Sequence, residues 1–190
     1  MAAAAPPDTR ERILRITLEL IGREGIAAVT NRRVATAAGV SLGSLTYHFS
    51  SQVELLRDSL LLFVGEEVAR LEGIAADLRR RRPSVEQVAA EVEQIVGESS
   101  DRLQQLAEIE LHLRAARDEE LREASRRCFE AYEEVAEAAL EMFAIPQADR
   151  HARSIVALMY GLALRRLGTG GEDATGLGDA LLTIVRGAAR

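Results

Sequence analysis

The 190-residue chain contains no lysine and no tryptophan, one cysteine and four prolines. Each shortage excludes something. The lone Cys128 cannot close an internal disulfide, which predicts a reducing compartment. Pro6, Pro7, Pro83 and Pro146 leave long intervals in which helices run unbroken. With aromatics at 4% and apolar residues at 47%, a core must be assembled mainly from Leu, Ala, Val and Ile, which favours helices over sheet. The N-terminal stretch MAAAAPPDTR has neither a basic leader nor a long apolar run, so it does not read as a signal peptide. The longest apolar stretch, Ser154 to Leu164, is too short for a bilayer, which needs about 20 residues. A cytoplasmic protein with no membrane partner is expected.

What is present is distributed unevenly. The formal net charge is −6. Between Thr9 and Phe49, however, six arginines face three glutamates, whereas Ser84 to Phe143 holds sixteen acidic residues against six arginines. Opposite signs in the two parts predict two tasks. Helix signals follow one another along the chain. Asp8 with Glu11, and Ser51 with Glu54, have capping-box spacing. Ile13, Leu14, Leu18 and Ile21 recur at helical spacing, and Gly25 stops that helix. Thr30 or Asn31 opens a short second helix and Ser41 a short third, Leu42 to Phe49. A long fourth helix runs to about Arg80, and further helices are expected near 84–97, 101–116, 118–143, 147–168 and 174–189. This predicts an all-α fold of about nine helices after a tail of about seven residues. Residues 1–50 form an N-terminal three-helix domain, and residues 51–190 a C-terminal helical domain.

The segment VTNRRVATAAGVSLGSLTYHF, Val29 to Phe49, places two short helices on either side of Gly39, with small Ala35 where they approach. That is the pattern of a helix-turn-helix. Gly39 permits the positive φ of the tight turn. Val34, Ala38, Val40 and Leu45 are predicted to close a small core against the first helix, exposing Leu42, Gly43, Ser44, Thr46, Tyr47 and His48. From about Arg12 to Leu60 the chain resembles the DNA-binding domain of the tetracycline-repressor (TetR) family of bacterial transcriptional regulators. The resemblance rests on Gly25, on Ala-Gly-Val-Ser at 38–41, on Gly43, and on Tyr47-His48-Phe49 followed by SSQVELL.

The resemblance implies that Asn31, Arg32 and Arg33 open a helix that touches DNA, and that Ser41 begins the recognition helix. Leu42, Gly43, Ser44 and Thr46 would face the major groove, and Tyr47 and His48 the phosphate backbone. Two residues depart from the family pattern. Thr46 stands where many members have Tyr. Gln52 stands where most have a phosphate-contacting Lys, so it offers a hydrogen bond but releases no counterion. Arg33 also suits a solvated helix face.

In the second part, Ile155, Ala157, Leu158, Gly161 and Leu162, with Leu177, Leu181 and Ile184, give two helices apolar faces that a second copy would cover in a four-helix bundle. The resemblance implies the same homodimer. It also implies a cavity for a small, largely apolar effector. Candidate lining residues are Phe63, Leu106, Ile109, His112, Leu113, Cys128, Phe129, Tyr132, Phe143 and Tyr160, each of which suits core packing better than ligand contact. No cofactor and no metal site is expected, because His48, His112 and His151 lack metal-ligand spacing and GTGGEDATG lacks the lysine of a phosphate loop. An enzyme is not expected. The function implied is a homodimeric repressor released from operator DNA by a small molecule. The alternative is a helical protein-interaction scaffold with weak or lost DNA binding.

Overall fold

The computed structural model describes residues 8–81, 83, 84, 87 and 102–170. The described residues form seven α-helices and no strand. They are α1 (Thr9–Glu24), α2 (Asn31–Ala37), α3 (Leu42–His48), α4 (Gln52–Arg81), α5 (Arg102–Ala115), α6 (Glu119–Met142) and α7 (Ala148–Thr169). A 3-10 turn, Ile26–Ala28, lies between α1 and α2. The expected helices near 84–97 and 174–189 fall outside the described residues, as does the tail.

The contacts divide the chain into two compact units. The first comprises residues 1–65 and 103–125, and the second residues 66–102 and 126–190. This differs from a division at residue 50: the three N-terminal helices share a unit with the start of α4, with most of α5 and with the start of α6.

Within the first unit, local signals explain the helix boundaries. Gly25 ends α1 at φ 78°, a conformation that costs glycine little. Thr30 Oγ1 accepts the Arg33 amide at the start of α2, and Ser41 Oγ accepts the Ser44 amide at the start of α3. Ser51 Oγ accepts the Glu54 amide, and the Glu54 carboxylate reaches back to accept backbone amides of Ser50 and Ser51. At α1 the expected capping box is corrected. Asp8 occupies the cap position without a side-chain capping bond, and Glu11 instead takes Arg15 one turn on. Ile13, Ile21, Val29, Val34, Leu45, Leu55 and Leu60 are fully buried. Thr17 joins them by donating its hydroxyl to the Ile13 carbonyl at 2.8 Å, so no donor is left unsatisfied.

In the second unit, Leu140, Ile145, Ala152 and Ile155 form a cluster against which Ala136, Phe143, Ala148 and Met159 pack. The turn between α6 and α7 is tight enough to hold Ala144 and Gln147 at φ 52° and 53°. This cluster corrects one expectation: Ile155 is buried inside its own protomer and so cannot serve as a dimer contact. Phe143 packs on this core, as its core reading has it. Ile155 faces inward because α7 must bury one stripe within its own unit, and residues 152, 155, 156 and 159 form that stripe.

Candidate nucleic-acid interface

The helix pair α2–α3 turns at Gly39, whose φ of 65° is the left-handed conformation expected there. The Val40 amide donates to the Ala35 carbonyl across the turn. Val34, Ala35, Ala38 and Leu45 are buried, which fixes which side of α3 faces outward. Ser41, Leu42, Gly43, Thr46 and Tyr47 are exposed, Tyr47 by 86%, and Ser44 and His48 are half-buried. The exposed face thus gathers five predicted reader residues on one short helix and its cap, with half-buried His48 packing its ring edge-on against Tyr47 at 5.3 Å.

Several predicted contacts are already engaged within the protein. Arg33 forms an ion pair with Glu24. Gln52 donates its amide to the Val29 carbonyl, tying the start of α4 to the connection before α2. That bond gives the glutamine a role within the protein, because its amide satisfies a backbone carbonyl at the edge of the reader. The Asn31 Oδ1 atom is buried without a hydrogen-bond partner, so this oxygen is not presented to DNA. Arg32, by contrast, is exposed and has no ion-pair partner among the described residues.

The base of the reader is tied to α4. Arg10 pairs with Asp58 and lies over the Phe49 ring at 5.1 Å. Burial raises the Asp58 carboxyl above its ordinary value, although Arg10 opposes that. Arg57 directs two donors at Asp118 Oδ2, at 3.1 and 3.0 Å, while Asp118 Oδ1 caps α6 by accepting the Leu121 amide. The Arg10–Asp58 and Arg57–Asp118 ties were not legible as pairs, because the partners are 48 and 61 residues apart in sequence.

The predicted effector residues fall into two groups. In the first unit Phe63 is buried, and Leu106, Ile109 and His112 are half-buried. Leu113 is 63% exposed, which corrects its assignment to a cavity wall: one step from His112 is about 100° around α5, enough to turn it to solvent. His112 Nδ1 lies 2.7 Å from Ser125 Oγ. Burial lowers the His112 pKa to about 4, so the ring is neutral near pH 7 and its 4.0 Å approach to Glu108 is not an ion pair. In the second unit Cys128 is buried, and Phe129 and Tyr132 contact the Tyr160 ring with centroids 4.7 and 5.8 Å away. Tyr132 donates its hydroxyl to Glu67 Oε1 at 2.7 Å, and Arg70 supplies two more bonds to the same carboxylate. Burial pushes the Glu67 carboxyl up, but these bonds outweigh it and hold the pKa below its ordinary value. Glu67 was not anticipated, because its apolar surroundings in LLLFVGEEVARL were visible in the sequence but its distant partner was not.

Residues 83–190 match the family model described as "Tetracyclin repressor-like, C-terminal domain", and residues 13–58 match "Bacterial regulatory proteins, tetR family". The chain belongs to the tetR family. This is a family of transcriptional regulators rather than of enzymes. Among solved structures, the transcriptional regulator SCO7518 of Streptomyces coelicolor A3(2) is 30% identical, covers 97% of this chain and 100% of its own, and superposes with a TM-score of 0.66. The multidrug binding protein EbrR, complexed with ethidium, is 29% identical, with 93% and 98% of the two chains covered and a TM-score of 0.66. The regulator YerO of Bacillus subtilis (strain 168) is 29% identical over 76 residues, which is 40% of this chain and 26% of YerO. The matched stretches span from 26% to 46% of the curated relatives. Among the described residues of this tetR-family chain, no helix is long and apolar enough to cross a membrane.

Proposed function

We propose that this tetR-family chain acts in the cytoplasm as a homodimeric repressor that binds a two-fold operator through α2 and α3 and leaves it when a small, largely apolar molecule binds. The observation that carries the reading is the outward face of α3. Leu45 is buried behind it and Gly39 holds its turn, while Leu42, Gly43, Thr46 and Tyr47 stand exposed. A monomer has little use for an exposed leucine and tyrosine beside a glycine on one short helix; a major groove does. In this reading Arg32 reaches a phosphate or base, Ser41, Ser44, Tyr47 and His48 position the helix on the backbone, and Gly43 admits a base edge. Two such helices must stand about 34 Å apart to enter successive grooves.

For the effector, support comes from the complexes of EbrR with ethidium and proflavin; His112 and Tyr132 are held by Ser125 and Glu67 within the protein, and an effector would have to exchange those partners. The dimer rests on α7, where Ala157 and Gly161 are exposed and Leu158 and Leu162 half-buried. Leu177, Leu181 and Ile184 lie outside the described residues. The scaffold alternative draws on Gln52 being engaged with Val29 and on the acidic second part. Measuring binding of genomic fragments, including the chain's own upstream region, at low and moderate salt separates the two: a repressor binds one fragment tightly and loses it as salt rises, and a scaffold binds none.

A further inference from the structure

The reading helix α3, Leu42–His48, carries no arginine and no lysine. The commonest specific contact with a major groove, a bidentate cation on guanine, is therefore unavailable to it. Leu42 and Thr46 stand one helical turn apart on the exposed side, and Gly43 lies three residues before Thr46. Leu42 is 45% exposed and offers only methyl groups. The Thr46 hydroxyl is 3.1 Å from both the Leu42 and the Gly43 carbonyls and donates its one hydrogen to them. What Thr46 then presents outward is a methyl group and an oxygen that accepts but does not donate. Ser41 holds the Ser44 amide on its own oxygen, which engages that hydroxyl as the cap at the helix start. A Cβ added at Gly43 would meet only Ser41 Oγ, at 3.8 Å, so the protein itself does not demand glycine there. An approaching base edge would.

We infer that α3 selects its operator through thymine methyl groups, with Leu42 and the Thr46 methyl seated on C5-methyls and the Thr46 oxygen accepting from an adenine or cytosine amino group. The inference rests on the DNA-binding reading above and specifies what that site recognises. Guanine, where the operator contains it, is not read by a cation of α3. Each half-site is accordingly expected to hold an A·T-rich stretch where α3 lies.

The test uses the full chain and a duplex enriched by it from a random-sequence library. Each thymine is replaced in turn by deoxyuridine, which removes one methyl group and leaves base pairing intact. At one or two positions per half-site, affinity should fall about fourfold, the worth of one buried methyl. In Leu42→Ala or Thr46→Ser that ratio should move towards one at the matching position; both sites are exposed, so both variants should fold. A Thr46→Val variant should keep the methyl effect and lose the preference for an amino group at its position. If uracil is tolerated everywhere, or if its effect is undiminished in Leu42→Ala and Thr46→Ser, so that it comes from the stiffness of the duplex, the inference is overturned while DNA binding stands. If the library yields no enriched duplex even at low salt, the DNA-binding reading falls with it.

Discussion

Two buried polar residues hold their charge states in opposite ways. His112 is neutral because burial excludes its proton, and its pKa falls from 6.5 to about 4. Unfolding frees the ring to take up a proton below about pH 6.5, so between pH 6.5 and 4 the unfolded chain binds more protons than the folded one. The His112 contribution is therefore complete above pH 6.5 and is lost as pH falls towards 4, a change of roughly 3 kcal/mol. Urea unfolding across that range should show His112→Gln with a flatter pH dependence than the parent; equal slopes would mean that the ring is not buried as described. Glu67 stays ionised because Arg70 and Tyr132 bond to its carboxylate. Tyr132→Phe removes one of those bonds and leaves an acceptor lone pair buried. Stability should fall by about 1–3 kcal/mol in the same assay. An unchanged midpoint would show that water replaces the hydroxyl.

At the level of elements, two glycines near the reading helix have different reasons to be there. Gly39 sits at φ 65°, so Gly39→Ala forces a left-handed alanine and should cost about 1–2 kcal/mol by thermal unfolding. Gly43 lies within a helix, and an added Cβ there makes only an ordinary contact with Ser41 Oγ at 3.8 Å, so Gly43→Ala should leave the melting temperature equal or slightly higher, by helix propensity, yet weaken DNA binding. A Gly43→Ala protein that binds DNA as well as the parent would show that no base approaches this position. The same contrast shows what the sequence discloses. Gly39, the Thr30 and Ser41 caps, buried Leu45 and the exposed run around Tyr47 were legible because each is a local rule acting over three or four residues. The pairs Gln52–Val29, Arg57–Asp118 and Glu67–Tyr132 were not, since they join residues 23, 61 and 65 positions apart. Ile155 and Leu113 were misassigned for a related reason: an apolar periodicity says that a face is covered, but not whether its own protomer, a ligand, a partner or nothing covers it.

For the whole molecule, the tetR membership and the helix-turn-helix predict an assembly whose parts must be two copies apart and a groove apart. Gly161 tests the assembly without disturbing the protomer. It is exposed, and an added Cβ meets nothing within 4 Å, so a side chain has room to leave the helix there and Gly161→Arg is expected to fold. Sedimentation should show the parent at the mass of two chains and the variant at one; a variant that stays dimeric would place the interface elsewhere. The central claim is that the outward face of α2 and α3 holds operator DNA. The measurement that tests it most directly is the affinity of the full chain for a duplex from its own upstream region as a function of salt, for the parent and for Arg32→Ala. The account predicts a linear fall of log affinity with log salt concentration, with a slope of about 0.9 per phosphate neutralised, and for Arg32→Ala weaker binding with a slope shallower by about one. Absence of binding at low salt, or an affinity indifferent to salt and to Arg32, would contradict it.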